Sequence, residues 1–156
     1  MKNDVSKADL QEQDRQAIRA LIAQQFSSLS WTPNHPADWD AFSADFVPEA
    51  LLYASARPAR GQTVQAFMDR MKNLEQTTLR MFQESLERCE ICVFGNVAVA
   101  AAVCEQVENA GRANRSVEMF LLVRNDDGWR IASQAWDMET QAKRIPERFF
   151  PDEAED

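Results

Sequence analysis

Near its C-terminal end the chain reads EMFLLVRNDDGWRIASQAWDMET, Glu118 to Thr140, two apolar runs of strand length around an Asn-Asp-Asp-Gly turn. Glu118, Ser133 and Asp137 interrupt runs that would otherwise be wholly apolar. If Asn125 to Gly128 form a four-residue loop, Arg124 pairs with Trp129, Phe120 with Ser133, Glu118 with Ala135 and Ser116 with Asp137. One face of the hairpin then carries Glu118, Phe120, Leu122, Trp129, Ile131, Ser133, Ala135 and Asp137. The other carries Val117, Met119, Leu121, Val123, Ala132, Gln134, Trp136 and Met138. Glu118 and Asp137 become diagonal neighbours in this register. Two carboxyl groups that close raise one another's proton affinity, which leaves one as acid and the other as base near neutral pH. The competing reading keeps both at the open end of the sheet, solvated and paired with arginines such as Arg57 or Arg112.

The elements that must hold this hairpin are legible from periodicity. Ile18, Leu21, Ile22, Phe26 and Leu29 recur at three- and four-residue steps, which predicts an amphipathic helix over Asp14 to Leu29, with Arg15, Arg19 and Gln25 on its polar face. The loop WTPNHPAD follows, and DWDAFSADF brings Trp39, Phe42 and Phe46 to one side of a short second helix. Ala50 to Ala56 reads as a short strand. Gly61 precedes a third helix near Thr63 to Gln76, with Val64, Phe67, Met68, Met71 and Leu74 as its buried stripe. From there the period is two. Segments near Leu79–Phe94, Val97–Glu108, Ser116–Arg124 and Trp129–Thr140 are separated by Gly/Asn/Asp clusters suited to hairpin turns, an antiparallel meander. Helices followed by a curled sheet define an α+β domain, expected over residues 14–141 between an N-terminal extension, 1–13, and a C-terminal tail, 142–156. In that tail IPERFF can pack as a flap and PDEAED reads as solvated.

Composition narrows the function classes. A length of 156 residues suits one domain with a core that needs no staples, and 45% hydrophobic with 27% charged residues excludes a disordered chain. A net charge of −8 repels nucleic acid and anionic membranes, and no basic patch offsets it. No apolar run is long enough to span a bilayer and MKNDVSKADLQEQD has no signal-peptide core, so a cytoplasmic location is expected. Cys89 and Cys92 form a C-x-x-C, but in a strand residues three apart face opposite ways, so they read as packing thiols rather than a redox or zinc motif. The single histidine, His35, sits between prolines in a loop expected at the surface. With no phosphate-cradling glycine loop, serine elbow or metal-spaced cluster, no cofactor and no metal are expected.

In DWDAFSADFVPEALLY, the Gly61 start of the third helix and the NDDGWRIAS strand, the chain resembles the nuclear transport factor 2-like superfamily, in particular its SnoaL-like and ketosteroid-isomerase-like members. The resemblance implies three helices packed on a strongly curved antiparallel sheet around a cone-shaped pocket, with the Glu118 face of the hairpin toward it. On that footing the expected catalytic residues are Asp137 and Glu118, and the expected substrate-binding residues are Phe120, Ser133, Ala135, Trp129, Ala54 and Leu52. The resemblance also puts Ala54 where the isomerases hold their base, Phe120 where they hold a carboxylic acid donor and Phe26 nearest their tyrosine. Steroid isomerase chemistry of that kind is therefore not expected. The first reading is a small-molecule pocket, used by a lyase- or isomerase-type enzyme for a largely apolar metabolite; the alternative is a non-catalytic binding or protein-interaction module of the same fold. The averted face, with Leu121 and Trp136 near its centre, predicts a homodimer through the outer sheet surface, because nothing else in the chain is expected to cover it.

Overall fold

The computed structural model describes residues 6–151. Its elements run α1 (Lys7–Ser28), α2 (Trp39–Ala44), β1 (Phe46–Tyr53), β2 (Gly61–Thr63), α3 (Val64–Gln76), β3 (Phe82–Phe94), β4 (Val97–Glu108), β5 (Ala113–Asn125) and β6 (Gly128–Met138). The α+β order expected from the sequence is the one observed. The first helix starts a turn and more before the expected Asp14, because the Ser6 hydroxyl caps it by accepting from the Asp9 amide. Thr63 caps α3 in the same way, accepting from Ala66. The first strand begins at Phe46 rather than Ala50.

Six strands form one sheet in the order β2-β1-β6-β5-β4-β3, antiparallel throughout except where β1 runs parallel to β6. Two single-residue irregularities bend the long strands. In β3, Glu87 has no partner opposite, between the pairs Leu86↔Cys104 and Arg88↔Val103. In β6, Ala132 is the extra residue, between Leu122↔Ile131 and Leu121↔Ser133. Each such bulge turns the following side chains to the other face and sharpens the curl.

The Ala132 bulge corrects the expected register. Arg124 pairs with Trp129 as anticipated, but beyond the bulge Phe120 lies opposite Gln134, Glu118 opposite Trp136 and Ser116 opposite Met138. Trp129 and Ile131 point to the helices, as do Gln134, Trp136 and Met138, whereas Ser133, Ala135 and Asp137 point away. The concave face of the sheet closes on α1, α2 and α3 through Ile18, Ile22, Phe26, Phe42, Phe67 and Met71. Trp31, fully buried at the end of α1, ties the helical layer to the sheet. Its backbone bridges Phe82, and its indole donates to the Leu79 carbonyl at 2.7 Å.

The convex face is partly covered by the chain itself, contrary to expectation. Residues 145–150 return along β3, where the Glu90 carboxylate accepts from the Phe149 and Phe150 amides at 2.9 and 2.8 Å. Arg88 donates to the carbonyls of Pro146 and Glu147 and stacks on Phe149. Ala101 and Val103, paired with Glu90 and Arg88 and also outward-facing, are fully buried. So IPERFF does pack as a flap. Of the expected solvated tail PDEAED, only Pro151 falls within the described residues.

Candidate functional site

Between α3 and the sheet lies a cavity of about 440 Å³, walled by Leu52, Phe42, Phe67, Met71, Trp136 and neighbouring apolar side chains. Its rim carries Arg70, Glu108, Leu74 and Leu79. Its floor is polar: Glu84 from β3, Gln106 from β4, Glu118 from β5, Gln134 from β6 and Gln25 from α1.

These five form two hydrogen-bonded chains that meet. Gln25 and Gln134 exchange amide hydrogen bonds at 2.6 and 3.2 Å, and Gln134 also donates to the Glu118 carboxylate. Gln106 donates to Glu84 at 2.9 Å. The Glu84 and Glu118 carboxylates and the Cys104 thiol each have a ligating atom within 4.8 Å of the others. Gln25, Glu118 and Gln134 are buried, and Glu84 keeps part of its surface. Buried amides of this kind require partners, and here each finds one on a different element, which fixes α1 against β5 and β6.

Burial governs the electrostatics. Loss of hydration raises Glu118 from its ordinary 4.5 to about 7, opposed by the hydrogen bond from Gln134. Glu84 is raised well above its ordinary value, first by burial and then by Glu118, against the hydrogen bond from Gln106. The Cys104 thiol is pushed far up by burial and by the two glutamates, so it stays protonated. The pair therefore holds at least one proton at neutral pH, and a group that carries a proton near pH 7 can give or take one from a bound molecule.

The expected site residues separate into two groups. Glu118 and Leu52 line the cavity. Phe120 and Trp129 are buried in the core beyond it, Phe120 against Phe26 at 6.4 Å and Trp129 with its indole donating to Asp14 at 3.2 Å. Ala54 lies past the end of β1, where its carbonyl accepts from Arg57. Ser133 and Ala135 are on the convex face, Ser133 donating to the Leu51 carbonyl at 3.2 Å. Asp137 is exposed there too, held by Lys143 at 2.7 Å, and the hydrogen bond from that lysine lowers its pKa. It sits opposite Val117 and does not meet Glu118. The neighbour of Glu118 is instead Glu84, which the sequence reading did not single out. Gln25, placed there on the polar face of α1, belongs to its buried stripe, between Ile22 and Phe26. His35 is exposed, Cys89 is buried and Cys92 exposed as their spacing implied, and all three thiols are free.

A family model for the SnoaL-like domain matches residues 32–136, and the chain belongs to that family. None of the curated proteins matches it in sequence. Among solved structures it is similar to an NTF2-like protein with a cystatin-like fold from Novosphingobium aromaticivorans, at 18% identity over 94% of this chain and 100% of that one, with a TM-score of 0.67. It is also similar to a protein of unknown function from Mycobacterium tuberculosis, at 16% identity over 88% and 78% of the two chains and a TM-score of 0.68. A third is a putative aromatic ring hydroxylase from Novosphingobium aromaticivorans, at 20% identity, 83% and 91% coverage and a TM-score of 0.64. At such identities the likeness establishes the NTF2-like fold.

The carboxyl pair sets a stability profile. A carboxyl group whose folded pKa lies above its unfolded one binds a proton that the unfolded chain has released, so stability is full below the unfolded value and falls as pH rises to the folded one. Glu118 acts between 4.5 and about 7, and Asp45, raised by burial, acts between 3.8 and about 6. Chemical denaturation across this range should show stability falling with pH, by up to about 1.4 kcal/mol per pH unit for each group. Glu118→Gln should flatten the upper half of the fall. A profile identical to that of the parent would show that Glu118 titrates normally.

Proposed function

We propose that this protein seats a small, largely apolar molecule in the cavity with its polar end on the Glu84–Glu118 floor, and that Glu118 can exchange a proton with it, as a lyase or isomerase requires. The observation that carries this reading is the pair of desolvated carboxyl groups at the bottom of an apolar cavity open at one rim. A dry core of this size would be filled by side chains, and acids kept only for solubility would face water. Glu118 keeps the role expected of it, and Glu84 takes the partner's place expected of Asp137. The ligand-binding reading needs only the cavity; the catalytic one also needs the proton. No helix among the described residues is long and apolar enough to cross a membrane.

Nile red, a neutral apolar fluorophore, should bind saturably with a blue-shifted emission. Leu74→Trp, at the rim, should weaken that binding by about tenfold or more, whereas Leu10→Trp, exposed on α1, should not. Equal binding by both variants would place the dye elsewhere and remove support for the cavity.

A second reading concerns assembly. The convex face leaves Leu51, Val97, Val99, Met119 and Leu121 between 38% and 49% exposed, and Val99 pairs directly with Leu121. These residues form one apolar surface beyond the reach of the returning C-terminal segment, which favours a homodimer centred on Leu121 and Val99. Trp136, expected at that centre, faces the cavity and has no part in it. Sedimentation velocity at micromolar concentration should find a dimer that Leu121→Glu converts to monomer; a parent already monomeric would contradict this.

A further inference from the structure

The cavity floor carries two carboxylates and no cation to balance them. Of the described residues that line the cavity, Arg70 alone is basic, and it is exposed at the rim with its guanidinium 5.7 Å from the Phe67 ring centre. Each carboxylate receives one side-chain amide hydrogen bond, from Gln106 or from Gln134, and retains further lone pairs. Ser116, outside the cavity lining, is fully buried on the same face of β5 as Glu118, and its hydroxyl lies against the thiol of Cys104, its partner across the ladder.

We propose that the molecule held in this cavity is an organic cation, a protonated primary or secondary amine on an apolar body, and that Glu84 and Glu118 jointly accept its N–H groups. This rests on the pocket reading above and assigns it a ligand class. Charge-assisted N–H···O bonds are about 2.7–2.9 Å long, so the tetrahedral N–H groups of one ammonium bridge two oxygens roughly 4.6 Å apart. The ligating atoms of the cluster lie within 4.8 Å of one another, a separation that admits such a bridge. An ammonium also supplies the positive charge in place of the proton that the unliganded pair must retain. The apolar body then meets Phe42, Phe67 and Trp136, whose ring faces favour an adjacent cation.

Calorimetric titration of the full chain with phenylalkylamines of increasing chain length, each beside its alcohol of the same length, tests the assignment. At least one amine should bind about tenfold or more tighter than its alcohol, and Glu84→Gln and Glu118→Gln, each checked for folding by circular dichroism, should bring that ratio toward one. Alcohols that bind as tightly as the amines would overturn the cation and leave the pocket reading standing. If neither series binds, both readings fall. Zinc added alone that binds with one-to-one stoichiometry and excludes the amine would overturn the proposal in favour of a metal site.

Discussion

Ala132 has no partner across the sheet, and the site depends on that single extra residue. Without it, the alternation along β6 would carry Ser133, Ala135 and Asp137 inward and leave Gln134, Trp136 and Met138 on the convex side. Gln134 would then reach neither Gln25 nor Glu118, Trp136 could not close the cavity wall against Phe67 at 5.8 Å, and the Glu118 carboxylate would be buried without its donor. A buried carboxylate with no hydrogen bond costs several kcal/mol, so the bulge and the acid stand or fall together.

The floor itself opposes folding. Two carboxyl groups removed from water must keep protons that they would release in the unfolded chain, and the glutamine amides recover only part of the lost hydration. The fold tolerates this because its core is otherwise continuous: Trp31, Phe26 and Ile22 bind the helices to the concave face, and Glu90 and Arg88 fasten the C-terminal segment to the convex one. Strain kept at one place within a well-packed frame is the usual mark of a site.

The order of elements was legible because strong local signals carry it: the apolar stripe of α1, Gly61 before α3, and the turns that flank β4 and β6. The site was less so. Alternation set the face of Glu118, since no extra residue in β5 intervenes between it and the turn, and the family resemblance turned that face and Leu52 toward the pocket. Ser133, Ala135 and Asp137 were misplaced because the bulge falls within IASQ, where no glycine or proline announces it and where one residue reverses every later side chain. Glu84 and Gln106 share the inward parity of Phe82 and of Cys104, a signal present in the sequence yet outweighed by the general preference of such residues for water. Gln25 was open to the same error, although it stands three residues after Ile22 and four before Leu29 on the buried stripe. Polar residues at apolar positions were the signal in each case.

Glu84 and Glu118 form a desolvated pair that holds a proton at neutral pH. Carboxyl-carbon NMR on protein labelled at glutamate, with Glu84→Gln and Glu118→Gln to assign the two signals, reads this directly. Both resonances should titrate well above the other glutamates, with Glu118 near pH 7, and Glu118→Gln should lower the midpoint of Glu84. Two independent titrations near the ordinary glutamate value would show a hydrated, unpaired floor and contradict it.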